Sequence, residues 1–482
     1  MIYHRQGDLS VIMNIKTKMN RTLHSIILAA ALLLACACNK QENGDGRYIE
    51  KVECRSVQDN ALRVSIDIRF TRDCGYSISY WPKNDPSKTI TTKTSHSKNQ
   101  EGHDILLFLY PESTYCFKVN TGEPSETFEF QTYSLPPDMP QYTVKEGQDC
   151  KIPGYIFQTQ IGKAGYITFA DTDGRVIWYQ YIDQPARMFD VCEKEGVIWL
   201  LTGFKEGDGT EFQRLTKRIM CIDLFGNIIH QWSISDGEID IPYAHHEIRR
   251  MPDGNIVAVT NFTREFDLTP MGGKPGTTIW GDGFTIFNTD GKVIRTWDIF
   301  GEIDPLNCDY VNPLKKPLDL VHANSFNWDS EGNYYMTFNN TSQLWKIDSK
   351  SGEVLYRVGP GGNVSIDESG FAQGLHNAIP LAPDRILCLD NGRERKSSRA
   401  VIYKIDPDAM TAEVELSVSL AQNYSSRDRS GVELILDGSM LMFGMTVSHY
   451  VVFTDLEGKV LKSVERDGMS YRTHYLEKLP EY

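Results

Sequence analysis

The chain of 482 residues lacks several features that mark other protein classes. Its ten cysteines include no CxxC pair and no metal-type spacing, so no zinc or dithiol motif is indicated. The formal net charge is -14, which argues against nucleic acid as a partner because that needs a basic face. No amphipathic helical pattern of any length competes with the strand patterns. These absences favour an all-β protein that acts on something other than nucleic acid.

Long apolar runs are also missing. The one clear run, from Ile26 to Ala35, follows Arg21 and His24 and is too short to cross a bilayer, which takes roughly 20 residues. A short apolar run behind positive charge is typical of a signal peptide. We therefore expect residues 1–38 to be a signal, and no later segment to span a membrane.

The end of the signal resembles the lipobox of bacterial lipoproteins. Leu33-Leu34-Ala35-Cys36 places a cysteine behind small residues, and Cys38 is a second candidate. We expect lipidation at Cys36, a polar tether over residues 39–47, and export to a periplasmic or cell-surface position on a bacterial membrane, the outer membrane being favoured. An ordinary secretory signal is the alternative.

Residues 48–134 alternate apolar and polar positions between turn signals, which predicts a small immunoglobulin/fibronectin-III-like β-sandwich. The stretch from Leu109 to Val119 resembles the fibronectin type III pattern, with Tyr115 as the corner tyrosine. The proline-rich segment 135–140 is a stiff linker between this domain and the larger one after it.

A repeated unit fills the rest of the chain, residues 142–482. Its fixed point is a tight turn flanked by apolar strands, and successive turns are 49 to 65 residues apart. The six turns begin at Asp171, Asp223, Asn288, Asp348, Asp406 and Asp455. Radial repetition of four-stranded units on this scale predicts a six-bladed β-propeller. We expect the first and last segments to complete one blade between them.

Three histidines recur within this unit. His246, His376 and Ser430 each lie eight residues before the next hairpin turn, and His322 lies ten before it. A propeller brings equivalent positions to one axis, so we expect these side chains to converge. Since side chains alternate along a strand, the neighbouring His245 is expected to pack or hydrogen-bond between blades instead.

Converging histidines allow three interpretations. They hydrogen-bond the backbone, or they ligate a metal, or one of them is a nucleophile in covalent catalysis on an anion. No carboxylate or cysteine shares the repeat position, and the neighbours Asn324, Asn377 and Ser430 carry hydrogen-bonding groups suited to the oxygens of a transferred group.

The order of segments resembles that of bacterial aryl-sulfate sulfotransferases that use no nucleotide sulfate donor. The matching segments are Ala244–Glu247, Leu320–Ser325, Gln373–Ala378, Leu389–Gly392, Ala400–Asp406, Tyr424–Ser426 and Arg472–Tyr475. The resemblance implies a six-bladed propeller with a small β-sandwich, an aryl sulfate donor, a phenol acceptor and no cofactor or metal. A homodimer is the oligomeric state that we keep open alongside a monomer.

The resemblance assigns roles to individual residues. His376, in the segment before Asp390-Asn391-Gly392, is the nucleophile that becomes a sulfohistidine. His322 and Asn324 form the pair that holds sulfuryl oxygens, and His246 is the family's earlier histidine. Ser430 lies near a hydroxyl residue of the family site.

One departure from the family bears on function. The strand after the His322 segment carries an arginine in the family, whereas this chain has Phe338-Asn339-Asn340-Thr341-Ser342-Gln343. We expect Arg393 and Arg427 to bind the substrate in its place. Two alternatives stay open: a non-catalytic lipoprotein that binds a ligand or glycan, and a metal-dependent hydrolase or lyase that uses the three histidines.

Overall fold

The computed structural model describes residues 48–57, 59–204, 215–308 and 318–482. The predicted signal, Cys36 and the tether lie outside the described residues. The fold class is all-β, as predicted, and the only helices in the described ranges are single 3₁₀ turns. These turns are Pro86–Lys88, Thr269–Met271, Ile299–Gly301, Pro305–Asn307, Glu368–Gly370 and Gln422–Tyr424. None of the helices in these ranges has the length and apolar character needed to cross a membrane.

The chain divides into two compact units, the first running to Leu106 and including Glu112–Tyr133. This unit holds two antiparallel sheets. One sheet pairs, in order, β1 (Ile49–Ser56), β2 (Val64–Phe70) and β6 (Glu101–Leu106). The other pairs β4 (Ile90–Thr91), β3 (Gly75–Pro82), β7 (Thr114–Asn120) and β8 (Phe128–Gln131), with β5 (Ser95–His96) also on β3. Tyr115 is buried and stacks on Phe130, with ring centroids 5.4 Å apart.

The second unit takes Leu107–Pro111 and Ser134–Tyr482. Its strands form six antiparallel sheets. The strands of the first three sheets are β10 (Tyr155–Gln158), β11 (Gly165–Asp171) and β12 (Val176–Ile182); β13 (Ala186–Cys192), β14 (Val197–Thr202), β15 (Arg218–Asp223) and β16 (Ile228–Ser233); β17 (Ala244–Arg250), β18 (Ile256–Phe266), β19 (Thr277–Phe287) and β20 (Val293–Asp298), with β21 (Leu318–Asp319) parallel to β19.

The other three sheets follow the same order along the chain. Their strands are β22 (Ala323–Trp328), β23 (Tyr334–Phe338), β24 (Gln343–Ile347) and β25 (Val354–Val358); β26 (Leu375–Ala382), β27 (Arg385–Asp390), β28 (Arg399–Asp406) and β29 (Thr411–Ser419); β30 (Gly431–Ile435), β31 (Met440–Met445), β32 (Tyr450–Thr454) and β33 (Val460–Arg466).

The two ends of this unit complete two of the sheets. The last strand, β34 (Thr473–Leu476), pairs with β10 and so joins the first sheet. The first strand, β9 (Tyr142–Glu146), pairs with β33 at the edge of the last sheet. The sequence predicted that the first and last segments share one blade, whereas they share two. Each shared sheet ties together segments about 300 residues apart, which closes the propeller.

The predicted turns use the same local chemistry. In the first turn the side chain of Asp171 accepts hydrogen bonds from the backbone N–H groups of Asp173 and Arg175, and Gly174 adopts φ 80°. Asp and Asn favour such turns because their side chains bind the backbone two to four residues on. The bond to the residue four positions on recurs at the turns that begin at Asp223, Asn288 and Asp455. The repeat seen in the sequence is therefore a repeat of hairpin closures.

Apolar side chains fill the space between neighbouring sheets. Phe284 of the third sheet packs on Phe326 of the fourth, with ring centroids 4.9 Å apart, and both are fully buried. Cys221 and Cys388 lie buried in strands β15 and β27. None of the eight cysteines in the described ranges forms a disulfide.

Candidate active site

The predicted site lies on one edge strand of each sheet. Strands β13, β17, β22, β26, β30 and β34 contact one another in that order, so their beginnings lie around one axis. His246 and His376 lie near the starts of β17 and β26, while His322 and Ser430 directly precede β22 and β30. The predicted convergence therefore follows from how the sheets are arranged.

The three histidines come together. The rings of His246 and His322 have centroids 4.9 Å apart, and the ring of Tyr471 packs on His246 at 5.4 Å. His322 is also close enough to His376 for its charge to influence that ring. Residues on three separate sheets thus build one cluster.

His376 does not occupy the same backbone position as the other two histidines. His246 and His322 have φ near 60°, whereas in β26 the positive φ falls one residue later, at Asn377. Strand β26 also shifts register twice, once beside His376 and once near the hairpin. Because a β-bulge inserts an extra residue, equal residue counts do not mark equal positions. His376 reaches the cluster from a different backbone geometry.

The ring of His376 is buried and its titration is strongly perturbed. Its Nδ1 lies 3.2 Å from the carbonyl of Gly374 and 3.1 Å from the amide nitrogen of Asn339. The carbonyl of Gly374 can only accept and the amide nitrogen of Asn339 can only donate, so these two contacts favour opposite tautomers. In the tautomer that donates Nδ1–H to Gly374, the lone pair is on Nε2. Burial lowers the pKa of His376 well below its ordinary value, and the charges of Arg472, His322 and Arg393 lower it further. The ring is therefore neutral at neutral pH, which is the form in which an imidazole can act as a nucleophile.

His322 has a carboxylate partner. Its Nδ1 lies 2.6 Å from Oδ2 of Asp319, three residues earlier in the chain. A carboxylate accepts from Nδ1–H of the partner ring and so fixes the orientation of that ring. Nε2 is therefore the nitrogen of His322 that can face a substrate. In the sequence, this pairing is indicated by the acidic residue three positions before the histidine.

Asn324 is fully buried and holds two sheets together. Its amide nitrogen donates to the carbonyl of Leu375 at 2.8 Å, and its amide oxygen accepts from Thr337 at 2.6 Å. An amide nitrogen carries two hydrogens, so one of them is not used in the bond to Leu375. Asn324 therefore both orients the backbone beside His376 and keeps a donor.

The arginines expected to replace the family arginine differ in position. Arg393 donates to the side chain of Asn339, which lies in the segment where the family arginine belongs, and Asn339 contacts His376. The side chain of Arg427 is 83% exposed and lies 3.6 Å from the carboxylate of Asp428. The structure thus places Arg393 one contact from His376, through Asn339, whereas the side chain of Arg427 is exposed.

Ser430 is fully buried, with its hydroxyl already engaged. Its Oγ accepts from the backbone N–H of Thr446 at 2.9 Å and lies 3.3 Å from the hydroxyl of that residue. This places Ser430 at the start of its strand, as predicted, and gives it a bond that holds the neighbouring strand.

Arg472 is a site residue that the sequence indicated only as part of a matching segment. It is buried, donates to the carboxylate of Glu247, and donates to the backbone carbonyl of Asn324. It also borders a cavity of about 230 Å³ whose lining includes Arg249, Glu433 and His474. Arg472 therefore joins the segments that carry His246 and Asn324. Its pairing with Glu247 depends on contacts 225 residues apart.

We looked for clusters of metal-ligating side chains in the part of the chain that the structure describes. No group of three or more His, Cys, Asp or Glu side chains there is arranged to hold a metal ion. The Nδ1 atoms of the three site histidines instead contact other side chains or a backbone carbonyl.

Comparison with solved structures finds distant likenesses. A protein of unknown function from Bacteroides caccae is 14% identical and covers 68% of this chain and 100% of its own, with a TM-score of 0.42. The periplasmic gluconolactonase PpgL from Pseudomonas aeruginosa is 10% identical, with 68% and 100% covered and a TM-score of 0.40. These values are too low to carry an argument about function.

The family comparison is more informative. No curated protein matches the chain significantly. A family model described as Arylsulfotransferase (ASST) matches residues 141–467. That match spans β9 to the end of β33 and includes His246, His322 and His376. The chain therefore belongs to the arylsulfotransferase family.

Proposed function

We propose that the protein moves a sulfuryl group from an aryl sulfate to an acceptor phenol through a sulfohistidine at His376. Membership of the family supports arylsulfotransferase activity in general, and it implies an aryl sulfate donor and a phenol acceptor. The observation that carries the finer proposal is the state of His376: buried, held neutral, and with Nδ1 3.2 Å from the carbonyl of Gly374. The proposal uses the tautomer that donates Nδ1–H to this carbonyl and leaves the lone pair on Nε2.

In the first half of the reaction, the lone pair of His376 Nε2 attacks the sulfur of the aryl sulfate. The N–S bond forms as the bond from sulfur to the aryl oxygen breaks, and the phenolate leaves with the electron pair. Nδ1–H of His376 stays hydrogen-bonded to the carbonyl of Gly374, and this bond stabilises the positively charged ring that results. In the second half an acceptor phenol loses its proton and attacks sulfur, and the electron pair returns to Nε2.

Sulfuryl transfer resembles phosphoryl transfer, in which charge spreads over three equatorial oxygens while the attacking and leaving groups stay in line. The protein therefore needs donors around the nucleophile as well as the nucleophile itself. His322, oriented by Asp319, supplies the Nε2 side of its ring, Asn324 the amide hydrogen not used by Leu375, and Arg393 a guanidinium one contact from His376. Arg393 takes the part of the absent family arginine.

Burst kinetics test the proposal. Purified protein mixed with 4-nitrophenyl sulfate alone should release one equivalent of 4-nitrophenolate quickly and then stop, and adding phenol should restore turnover. Because the lowered pKa keeps His376 neutral, the size of the burst should not fall as pH drops through the ordinary histidine range. Steady hydrolysis abolished by a chelator would favour the metal-dependent alternative, and an untouched aryl sulfate would favour the ligand-binding one.

Arg393→Gln should slow adduct formation by roughly 10²-fold, the loss expected for one donor to a developing anion. Arg427→Gln is the matched control, since it removes the same charge from an exposed side chain nearby, and its rate should change by less than about threefold. Stopped-flow release of 4-nitrophenolate measures both. Equal losses in the two variants would mean that general positive charge, and not the position of Arg393, matters.

We also propose that the protein is exported and anchored by lipid at Cys36, which rests on the sequence alone. Metabolic labelling with a fatty-acid analogue should label the wild type, and the label should disappear in Cys36→Ala. Label that remains after both Cys36→Ala and Cys38→Ala would contradict the anchor.

A further inference from the structure

A chain of buried polar groups leads away from the reaction centre behind His246. Nδ1 of His246 lies 2.7 Å from Nδ1 of His245, and Nε2 of His245 lies 3.1 Å from Oδ1 of Asp282. His245 and Asp282 are fully buried, and His246 is 4% exposed. We expected His245 to pack or hydrogen-bond between blades. Its partner Asp282 lies on β19, in the same sheet as His245, and it is Asp282 that bonds to the next sheet.

Asp282 is surrounded by donors. Its Oδ2 accepts the backbone N–H of Ala323, from the next sheet, at 2.7 Å. Its Oδ1 also accepts from the amide nitrogen of Asn261 at 3.1 Å. Hydrogen bonds to a carboxylate favour its charged form. Asp282 is therefore a fixed carboxylate that links two sheets, and it can only accept hydrogen bonds.

The carboxylate of Asp282 sets the positions of the protons along this row of polar groups. Because Asp282 only accepts, Nε2 of His245 must donate to it. In neutral His245 the other nitrogen, Nδ1, is then an acceptor, so Nδ1 of His246 must donate. Nδ1 of His246 keeps this proton whether the ring is neutral or charged. The two charge states of the His246 ring therefore differ only in the proton on Nε2.

We propose that Asp282 and His245 are positioning residues that make Nε2 of His246 the general acid and base of the transfer. This rests on the proposed sulfohistidine mechanism. When the acceptor phenol attacks, Nε2 takes its proton. In the next cycle the same proton passes to the departing phenolate of the donor, so each turnover leaves the protein unchanged.

The two carboxylate-supported histidines differ in a way that suits two tasks. Asp319 contacts His322 directly, which fixes the ring that is proposed to bind sulfuryl oxygens. Asp282 contacts His246 only through the ring of His245, so no carboxylate is seen bonded to the ring that is proposed to pass the proton. General acid–base catalysis of this kind contributes roughly 10²–10⁴ in rate.

Other charged and titratable groups face His246 and must be considered in any pH dependence. His322, with Asp319 behind it, packs on the ring from the start of β22. Tyr471 packs on it from the segment before β34, and burial raises the pKa of that phenol. The guanidinium groups of Arg187 and Arg472 lie 5.6 and 5.8 Å from the centroid of the Tyr471 ring.

Separate measurement of the two half-reactions tests the proposal. In Asp282→Asn, formation of the adduct from 4-nitrophenyl sulfate should change by less than about threefold, because 4-nitrophenolate leaves without a proton. Consumption of the adduct by phenol should slow by roughly 10²-fold. His245→Gln should behave in the same way. In both variants the loss should shrink as pH rises toward the pKa of the acceptor, since phenolate needs no base.

Asp319→Asn gives the contrast, since it should slow adduct formation as well. A folded Asp282→Asn protein that slows both half-reactions equally, at every pH, would reduce Asp282 to a structural link and overturn the proposal. A readout independent of activity is the ¹⁵N–¹H spectrum of histidine-labelled wild type. It should show the Nδ1–H tautomer for His246 and the Nε2–H tautomer for His245. The opposite tautomers would overturn the relay even if the sulfohistidine forms, whereas absence of any adduct with these tautomers present would count against the transfer mechanism instead.

Discussion

Replacing His376 by asparagine is expected to abolish both turnover and the covalent adduct. Asparagine keeps a polar side chain of similar reach but has no nucleophilic nitrogen. Intact-mass analysis after incubation with 4-nitrophenyl sulfate and no acceptor should therefore show one added sulfuryl group on the wild type and none on His376→Asn. Only residual activity from binding and donor groups should remain, as when a covalent nucleophile is removed in other enzymes.

Variants of the donors give the control for this result. His322→Asn and Asn324→Ala should lose roughly 10²–10³ in rate, the usual effect of removing one donor to a developing anion, and still form the adduct on long incubation. If the adduct persists in His376→Asn and vanishes in His246→Asn, the roles of the two histidines are reversed. Circular dichroism of each variant shows whether the strands are kept.

Arg472→Ala is expected to lower the free energy of unfolding by about 3–5 kcal/mol, because it removes the hydrogen-bonded partner of a buried carboxylate and leaves it only the longer contact with Arg249, at 3.6 Å. The side chains of Arg472 and Glu247 are 6% and 1% exposed. The same change removes the bond to the carbonyl of Asn324 and should disturb the site. Urea unfolding, followed by tryptophan fluorescence, measures the shift in stability.

Arg385→Ala is the matched control for that prediction. Arg385 also pairs with a carboxylate, that of Glu415, but the two side chains are 37% and 35% exposed. Exposed pairs contribute about 0–1 kcal/mol, so this variant should unfold almost as the wild type does. The double variant Arg472→Met with Glu247→Leu should recover much of the lost stability, since it removes both charges. A loss below about 1 kcal/mol in Arg472→Ala would contradict the assignment of a buried pair.

Much of the fold could be predicted because its determinants are local. Each of the six repeated turns carries an Asp or Asn that binds the backbone within four residues, and often a glycine at positive φ, so the repeat is visible without knowledge of distant contacts. The sharing of two sheets between the chain ends could not be read in this way. Whether β9 joins the outer edge of the last sheet depends on its pairing with β33, more than 300 residues away.

The candidate site was predictable in part for the same reason. The histidines could be placed near the axis by counting from turns, yet the count treated His376 as equivalent to His246. The two register shifts in β26 break that equivalence, and bulges leave little trace in sequence. Asp282 does leave a signal, since it is a charged residue within the apolar pattern of β19, but its partner His245 lies 37 residues earlier. Pairings of this kind depend on sheet geometry and not on spacing.

The site of sulfation is the most direct test of the proposed mechanism. Wild-type protein incubated with 4-nitrophenyl sulfate, without acceptor, is digested at alkaline pH and mapped by tandem mass spectrometry, with half of the sample first treated with phenol. The mechanism predicts one sulfuryl group, on the ring of His376, that disappears on treatment with phenol. A stable sulfuryl group on another residue, or no modified peptide in a sample that has released 4-nitrophenolate, would contradict it.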